Sequence, residues 1–502
     1  MGNTSRLVLQ AHNSWTYVLE ADELMLSVLS QECRYPTEHA EMMADGTYRP
    51  PAGERPYGGW DGWIRLLKRP RSGPPALPTG LLPLACRLAA KYQRHSVVED
   101  CRQRPDEEMP EFPAVSLRDY QEQAVRAAIH AGRGVLDLPP RAGKTRIAAE
   151  LQRRLGFPTV WLAPTERIVA QTADVLTEHF GRNYARALEC AADADMMRDR
   201  RIVVMTAAMA ARLPADWYLS RQMILVDEFH HAAAKTYSRD VWPKIDHIFW
   251  RFGMTGTFFR SGHDALAMHA LLSQTVYRMT PGQLLEQGHL VPTHCVFLPV
   301  DAPRLRGVGK GWHQGMGTAG IHEHEMRARM AADAALSLCR LGRRVLALVG
   351  TKRQGYALQG LLEGGLPRPP PGAEFRSAEF LSTDRARPVR QRVIDSFLAG
   401  GEVRVLIGTS LLGEGVDLPS ADALVYARGE RAEVSLIQNA YRVGTAQPGK
   451  RAAILVDFAD RHHKNLLGHS TERLRLYYRE PTFSVTVLEH PSQLEPWVAQ
   501  IP

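Results

Sequence analysis

The sequence has few cysteines, no long apolar run and no export signal. Its six cysteines lie far apart in 502 residues, and no two are close enough to form a zinc knuckle. A chain of this length buries a core without disulfide bonds, so the cysteine pattern favours a reducing compartment. No run of about 18 apolar residues could span a bilayer, and the amino end, MGNTSRLVLQ, has no apolar signal core. We therefore expect a cytoplasmic protein, in a bacterium or in the host of a phage, with no membrane partner.

Acidic residues are outnumbered by basic ones. The chain has 62 Lys and Arg against 54 Asp and Glu, a formal charge of +8. This excess favours a polyanionic partner such as nucleic acid, although a mildly basic balance is too common to prove one. Hydrophobic residues make up 44% of the chain and charged residues 23%, as in globular proteins. The length alone predicts about three domains.

Short apolar runs alternate with helical patterns in two parts of the chain. Between residues 118 and 285 they include GVLDL, TVWLA and MILVD, and a second set runs from RVLALV near residue 344 to RAAILVD at 451–457. This alternation is typical of a parallel sheet with crossover helices. We predict the α/β class, with two tandem parallel-sheet domains preceded by a small α+β amino-terminal domain.

Composition changes mark the domain boundaries. The first part is rich in Pro and Trp and ends in the acidic linker EDCRQRPDEEMPEFP. Pro and Gly punctuate a short helix in MTPGQLLEQGHLVP (279–292), where we expect the hinge between the two sheets. The predicted parts are an amino-terminal domain with its linker, two parallel-sheet domains and a tail, over residues 1–112, 113–285, 286–480 and 481–502.

The stretch LPPRAGKT (138–145) lies between a predicted strand and a predicted helix. It lacks the leading glycine of most phosphate-binding loops, and Arg141 stands where a small residue is usual. The leading glycine relieves crowding, whereas the phosphate cradle comes from later backbone N–H groups at Ala142, Gly143 and the start of the helix. Lys144 would reach the β and γ phosphates of a nucleotide, and Thr145 would ligate Mg²⁺. The loop therefore predicts a nucleotide site formed by the five residues from Arg141 to Thr145.

A pair of acids follows the loop by about 80 residues, in LVDEFHH (225–231). Asp227 and Glu228 end an apolar strand, where ligands bind in parallel sheets. Asp227 would hold Mg²⁺, and Glu228 would orient and deprotonate an attacking water. A lone Asp-Glu pair is often an acidic helix cap. The two elements in this order make that alternative improbable.

Two histidine groups invite a metal interpretation. They are His230 with His231 and the run His322-Glu323-His324-Glu325. Neither has a convincing set of ligands at zinc spacing. We interpret them as surface or polar-coupling residues.

The motifs of the first half resemble those of the superfamily 2 helicases. LRDYQ (117–121) resembles the motif that reads adenine, and LAPTERIVAQ (162–171) and VVMTAA (203–208) resemble motifs that contact a nucleic-acid strand. MTGT (254–257) resembles the motif that couples hydrolysis to movement. The resemblance implies a DExH-type motor with two RecA-like domains that uses ATP and Mg²⁺.

The resemblance continues through the second half, to about residue 460. LVGTKRQ (348–354) and LIGTSLLGEGVDLP (406–419) resemble later motifs of the same family. Taken singly, each Thr or Gly is more often a turn or cap residue. Taken together, the resemblance assigns phosphate-backbone contacts to Thr165, Arg167, Thr206, Thr351, Lys352 and Thr409, nucleotide contacts to Gln121, Gly415, Asp417 and Gln438, and coupling to Thr255 and Thr257.

The last motif, IQNAYRVGTAQPGKR, departs from the family pattern. Family members carry two arginines here, whereas this chain has Arg442 and then Thr445 in the final arginine position. An arginine finger stabilises charge on the transferring phosphoryl group, and losing one can cost about 10³-fold in rate. Arg442 would then act alone as a catalytic residue, or Arg451 or Lys450 would help, or turnover would be slow.

Residues 45–95 resemble the small domain that precedes the motor in the UvsW-like recombination helicases of phages. The shared features are Tyr-Gly, Trp-Asp-Gly and Ile-Arg-Leu-Leu in the same order. Arg65, Lys68 and Arg69 would contact phosphates, and Trp60 and Trp63 would stack on bases. The alternative is that the tryptophans form a small core and the basic residues its solvated edge.

The resemblance implies ATP hydrolysis coupled to movement on DNA, with branched DNA as the substrate in recombination, repair or replication. Recombination or replication proteins are the expected protein partners. RNA remains an alternative to DNA as the nucleic acid. Two alternatives remain. The sequences DEFHH and GEGVDLP also resemble those of motors in restriction or defence assemblies. Thr445, in the position of the second arginine, points instead to an ATP-gated nucleic-acid clamp with little turnover.

Overall fold

The computed structural model describes residues 6–36, 41–42, 48–49, 63–106, 112, 114–181, 183–228, 237–256, 264–306, 315–367, 373–382, 384–409, 418, 420–430 and 433–502. The chain forms two compact units, Met1–Met279 and Thr280–Pro502. Within the described part of the chain, no helix combines the length and apolar character that crossing a bilayer requires.

The amino-terminal domain is a four-stranded sheet with two helices against one face. Its elements are β1 (Arg6–Ala11), β2 (Trp15–Glu20), α1 (Glu23–Glu32), β3 (Arg34–Pro36), β4 (Glu41–Met42), β5 (Tyr48–Arg49), β6 (Trp63–Arg65), β7 (Ala76–Pro78), α2 (Leu82–Lys91) and β8 (His95–Asp100). The sheet order is β7-β2-β1-β8, with β1 and β8 parallel. Alternation along β1 buries Leu7 and Leu9, which pack with apolar residues of α1 and α2.

The rest of the first unit is a parallel sheet of seven strands in the order β11-β12-β10-β13-β14-β9-β15. Its elements are α3 (Asp119–Ala131), β9 (Arg133–Asp137), α4 (Lys144–Leu155), β10 (Thr159–Ala163), α5 (Glu166–Phe180), β11 (Ala185–Ala187), β12 (Ile202–Thr206), α6 (Ala207–Arg212), β13 (Met223–Val226), β14 (Trp250–Thr255), α7 (Asp264–Leu271) and β15 (Thr275–Arg278). Every residue of β10 and β13 is buried, which explains their continuous apolar sequences.

The second unit contains another parallel sheet of seven strands, in the order β18-β19-β17-β20-β21-β16-β22. Its elements are α8 (Pro281–Glu286), β16 (Thr293–Pro299), α9 (Glu325–Arg340), β17 (Val345–Leu348), α10 (Lys352–Glu363), β18 (Ala378–Leu381), α11 (Arg387–Leu398), β19 (Val405–Gly408), β20 (Ala423–Tyr426), α12 (Glu433–Val443), β21 (Ala453–Ala459), α13 (Lys464–Arg479), β22 (Phe483–Val487) and α14 (Leu494–Val498). The predicted fold class, two tandem parallel-sheet domains after a small mixed domain, is confirmed.

The last residues of the chain belong to the second sheet. The sequence pattern predicts a tail over 481–502, whereas the structure pairs β22 with β16 in parallel register at the sheet edge. Leu494, Val498 and Ile501 then pack into the hydrophobic core of the same unit. This segment therefore contributes to the stability of the second unit.

Buried arginines fix the amino-terminal domain to the first large sheet. The Nη1 of Arg133 donates to the carbonyl of Asn13 at 2.5 Å, and the Nη2 of Arg251 donates to the Oγ of Ser14 at 2.6 Å. The Nδ2 of Asn13 donates in turn to the carbonyl of His247 at 2.7 Å. Both arginine side chains are buried, so these hydrogen bonds are shielded from water and costly to break.

Candidate functional site

The loop between β9 and α4 brings Gly143 and Lys144 to the start of a helix. Gly143 has φ +75°, and a Cβ on it would lie 2.3 Å from the Nε2 of Gln121. Only glycine fits this position without strain or a clash. Lys144 is the first residue of α4, whose exposed backbone N–H groups favour an anion. Thr145 follows it in the first turn and is half-buried.

The unusual first half of the loop packs against the MTGT motif. The N–H of Leu138 donates to the carbonyl of Thr255 at 2.8 Å. A Cβ on Gly256 would lie 2.9 Å from the carbonyl oxygen of Leu138 and 3.1 Å from the Cδ of Pro140. Thr255 itself is fully buried at the end of β14. The loop and the predicted coupling motif therefore touch, while Thr257 lies outside the described residues.

Two residues that are not glycine adopt left-handed backbone conformations at this site. Arg141 has φ +74° and Glu228 has φ +45°. Such conformations cost on the order of 1–3 kcal/mol each and concentrate at functional sites. Strain at two predicted site residues is consistent with a role for both.

The ammonium of Lys144 meets the acidic pair across the sheet. Its Nζ lies 2.6 Å from the Oε1 of Glu228, and both side chains are largely buried. The Oδ1 of Asp227 accepts a hydrogen bond from the N–H of Glu228 at 2.9 Å. Burial lowers the pKa of Lys144, but the carboxylates of Glu228 and Asp227 outweigh it, so the net pKa is raised. The structure thus brings together the predicted lysine and both predicted acids.

Gln121 lies behind the loop and is buried. Its Nε2 donates to the carbonyl of Ala142 at 2.9 Å, and its Oε1 accepts from the N–H of Arg118 at 2.9 Å. Tyr120 donates to the same Ala142 carbonyl at 3.0 Å. In this state Gln121 supports the loop from behind, and its contact with an adenine base stays a prediction.

The predicted strand-contact residues of the first unit follow the carboxyl ends of β10 and β12. Thr165 caps α5 by accepting from the N–H of Ile168 at 3.3 Å, and Thr206 caps α6 by accepting from the N–H of Met209 at 3.2 Å. Arg167 lies in the first turn of α5 and is half-buried. These residues share one edge of the sheet with the loop and the acidic pair.

In the second unit, the predicted strand contacts follow β17 and β19, which are neighbours. Thr351 caps α10 by accepting from the N–H of Gln354 at 3.2 Å. Lys352 pairs with Asp384 at 2.5 Å, and both side chains are about half exposed. Thr409 directly follows β19 and is half-buried. The structure places these three residues at the same sheet edge.

The last motif forms α12. Arg442 is 9% exposed, and its Nη1 donates to the Oδ1 of Asn439 at 3.0 Å. Gln438 is half-buried on the same helix. Lys450 donates to the carbonyl of Ala421, so it is engaged with the backbone in this state. Arg451 is exposed on the second unit, and Gly415 and Asp417 lie outside the described residues.

Sequence reasoning missed Asn439. It is fully buried and binds the predicted catalytic arginine three residues later. No sequence signal identifies this role, because the side chain of an asparagine inside a helix ordinarily points to solvent rather than to a buried partner.

The predicted basic cluster of the amino-terminal domain is partly committed to aromatic rings. The ammonium of Lys68 lies 4.0 Å from the ring centre of Trp15, and the guanidinium of Arg34 lies 4.2 Å from that of Trp63. Arg65 and Arg69 are exposed, and Trp60 lies outside the described residues. Trp63 is therefore half covered by a cation rather than open on both faces.

His322 and His324 of the second unit make structural contacts. The Nδ1 of His324 accepts from the N–H of Arg327 at 3.3 Å and caps α9. Burial lowers the pKa of His322, which packs against Gly350. Among the described residues no group of His, Cys, Asp and Glu is arranged to hold a metal ion, and His230 and His231 lie outside them.

Family models match both large sheets. The model described as "Type III restriction enzyme, res subunit" matches residues 114–260, and the one described as "Helicase conserved C-terminal domain" matches residues 339–447. The first match contains Lys144 and Glu228, and the second contains Thr409 and Arg442. Both halves of the predicted motor are therefore matched.

Named helicases are similar over most of the chain. ATP-dependent DNA helicase UvsW of Enterobacteria phage T4 is 22% identical over 473 residues, which cover 84% of this chain and 89% of UvsW. DNA 3'-5' translocase XPB2 of Sulfurisphaera tokodaii is 19% identical over 361 residues, 66% of this chain and 78% of the relative.

A solved structure of similar fold is the ATP-dependent Type ISP restriction-modification enzyme LlaBIII bound to DNA. The two superpose with a TM-score of 0.55 at 14% identity, over 78% of this chain and 32% of that enzyme. This likeness concerns the fold alone. The family matches and the ordered motifs lead to one assignment: the chain is a superfamily 2 helicase, an ATP-hydrolysing enzyme of the ATP-dependent DNA helicase family that resembles UvsW.

Proposed function

We propose that the chain uses ATP and Mg²⁺ to move on DNA and to remodel branched DNA, such as forks, displacement loops or four-way junctions, in the cytoplasm of a bacterium or of a phage host. The observation that carries the ATPase part is the pairing of Lys144 with Glu228 at the amino end of α4. The branched substrate is supported by the similarity to UvsW over 84% of this chain.

The donor set fits a magnesium nucleotide. The hydroxyl of Thr145 and the carboxylate of Asp227 are the hard oxygen ligands that Mg²⁺ prefers, and they stand beside a helix amino end suited to phosphate. Mg²⁺, when bound there, would neutralise phosphate charge. Lys144 would turn from Glu228 to the β and γ phosphates.

That exchange would activate Glu228. Its Oε1 is held by the ammonium of Lys144 in this state. Once the ammonium binds phosphate, the carboxylate is available to accept a proton from the attacking water. ATP binding would therefore free the carboxylate of Glu228, which could act as a base only after that step.

The second unit would supply Arg442 and a second set of contacts to the phosphates of the strand. Arg442 would stabilise the charge of the transferring phosphoryl group. Thr165, Arg167 and Thr206 on the first unit, and Thr351, Lys352 and Thr409 on the second, would hold phosphates in turn during the ATPase cycle. Contacts of this kind predict weak sequence preference and strong salt dependence.

The amino-terminal domain would move together with the first motor domain. Arg133 and Arg251 join the two by buried hydrogen bonds within one compact unit. Arg65 and Lys68 would thus present positive charge at a fixed place on that unit. We propose that this domain holds the duplex next to the branch while the motor acts on one strand.

One panel of ATPase activators tests the proposal. Turnover is measured with forked DNA, four-way junctions, linear duplex, single-stranded DNA and single-stranded RNA of matched length and salt. We expect the branched DNAs to raise turnover the most. Equal activation by linear and branched DNA would remove the branched substrate, and no activation by any nucleic acid would favour the ATP-gated clamp.

The match to a restriction-enzyme subunit favours a second candidate, the motor of a restriction or defence assembly. Such a motor works with a nuclease or a methyltransferase in the same complex. Affinity purification of the full chain from its native host separates the two candidates. Stoichiometric recovery of a DNA nuclease or methyltransferase would support the second.

A further inference from the structure

The end of α12 is tied to the segment through which the chain enters the second unit. The N–H of Val291 donates to the carbonyl of Gly444 at 2.9 Å, and the N–H of Ala446 donates to the carbonyl of His289 at 3.2 Å. Leu290 and Thr445 face each other in an antiparallel bridge between these bonds. Leu290 and Val291 are buried, so the segment 289–291, the hinge segment, is firmly held against residues 444–446.

Thr445 also caps the helix that carries Arg442. Its hydroxyl donates to the carbonyl of Arg442 at 3.1 Å and approaches the carbonyl of Tyr441 at 3.4 Å. The last four carbonyls of a helix have no partner within the helix, so such a donor fixes the geometry of the final turn. Thr445 therefore lies between two residues whose backbones bond to the hinge segment, and its own side chain bonds to the backbone of Arg442.

Arg442 is held at its other end as well. Its Nη1 donates to the buried Asn439, one turn earlier on α12. The neighbouring Tyr441 donates to the Oε2 of Glu480 at 2.6 Å, which anchors the helix to the segment before β22. With these anchors in place, the final turn of α12 and the hinge segment are joined through residues 444–446.

We propose that Thr445 is a positioning residue for Arg442: its hydroxyl sets the backbone of the arginine beside the turn that Gly444 and Ala446 bind to the hinge segment. Position 445 then serves as a cap, and it is not an empty place for a second arginine. An arginine there would lose the short hydroxyl that reaches the carbonyl three residues earlier, and threonine is favoured by the bridge because it is β-branched. This inference rests on the proposed catalytic role of Arg442.

The test compares four variants by DNA-stimulated ATPase. Thr445→Val keeps the shape and removes the donor, Thr445→Ser keeps the donor, and Thr445→Arg restores the family pattern. Thr471→Val is the matched control, because its hydroxyl donates to the carbonyl of Leu467 at 2.8 Å on α13, away from the hinge segment. We expect kcat to fall about fivefold in Thr445→Val with KM for ATP unchanged, and to recover in Thr445→Ser.

A second readout separates positioning from a loss of folding. The ratio of the affinities for ADP with aluminium fluoride and for ADP alone reports charge stabilisation of the transferring group. It should fall in Thr445→Val and stay at the wild-type value in Thr471→Val and Thr445→Ser. Thr445→Arg should give a kcat below wild type.

Three results would overturn the inference: a wild-type kcat and ratio in Thr445→Val, a kcat above wild type in Thr445→Arg, or an equal loss in Thr471→Val. Failure of the proposed function looks different. In that case the wild type itself would show no ATP hydrolysis that depends on Glu228.

Discussion

The Nζ of Lys144 and the Oε1 of Glu228 lie 2.6 Å apart, although 84 residues separate them in the sequence. They meet because α4 starts after β9 and Glu228 follows β13, and the strands of this sheet are parallel. Each charge neutralises the other. The ion pair therefore fixes the positions of both side chains before either one acts on a substrate.

Removing either charge should stop hydrolysis and leave the fold intact. Lys144→Ala takes away the phosphate contact, and Glu228→Gln keeps a partner for Lys144 but cannot accept a proton. We expect each to lower turnover by about 10²-fold or more. Steady-state ATPase assays beside circular dichroism check this, with the exposed carboxyl variant Glu325→Gln as control. Activity retained in Lys144→Ala would end the nucleotide-site assignment.

Gly143→Ala should perturb the loop by more than the strain that a positive φ alone would cause. A Cβ there would meet Gln121 at 2.3 Å, whereas Gly181, with φ +91°, has open space around its Cβ position. Both Gly143→Ala and Gly181→Ala strain the backbone, because each glycine has a positive φ. We expect only Gly143→Ala to weaken ATP binding, by about tenfold or more, measured by calorimetry. Equal affinities in the two variants would mean that the contact with Gln121 is unimportant.

Substituting Arg65, Lys68 and Arg69 by alanine should weaken binding to a four-way junction. Three lost phosphate contacts would reduce the slope of log K against log salt by about 2 to 3. Fluorescence anisotropy over a salt series measures both effects. A control triple variant removes three exposed arginines from other helices, Arg126, Arg329 and Arg340. If the two triple variants keep the same slope, the cluster is a solvated edge and not a binding surface.

Acidification should destabilise the first unit through His269. Burial, helped by Arg87 and Arg278, lowers the pKa of this imidazole from 6.5 to about 4. The unfolded chain therefore binds the proton more readily, so stability is complete above pH 6.5 and is lost as pH falls towards 4. The loss is at most about 1.4 kcal/mol per pH unit.

Urea unfolding near neutral pH and at about pH 5 measures this loss. His269→Asn lacks the titrating group and should show a smaller difference between the two conditions than wild type. The same difference in both proteins would assign the acid sensitivity to other groups.

The sheets could be predicted from sequence because their strands are continuous apolar runs separated by helical patterns. The order of the motifs also placed Lys144 at the start of a helix and Asp227 at the end of a strand, where the structure has them; their chemical roles stay predictions. Other features depend on packing between distant segments. Asn13 meets Arg133 across 120 residues, and Tyr441 meets Glu480 across 39, with no periodic signal in either pair. The edge strand β22 was missed because a short strand near a chain end resembles a tail.

Arg133 and Arg251, buried on two strands of the first large sheet, limit how this enzyme can be shortened. A motor cut at residue 113 would keep Arg133 and Arg251 but lose Asn13 and Ser14, leaving two guanidiniums with part of their hydrogen bonding gone. Such a fragment would unfold more readily than the intact chain. A low turnover measured on it would then reflect partial unfolding rather than the activity of the intact enzyme. Kinetic work, chimaeras and drug screens on this protein should therefore keep its first hundred residues in place.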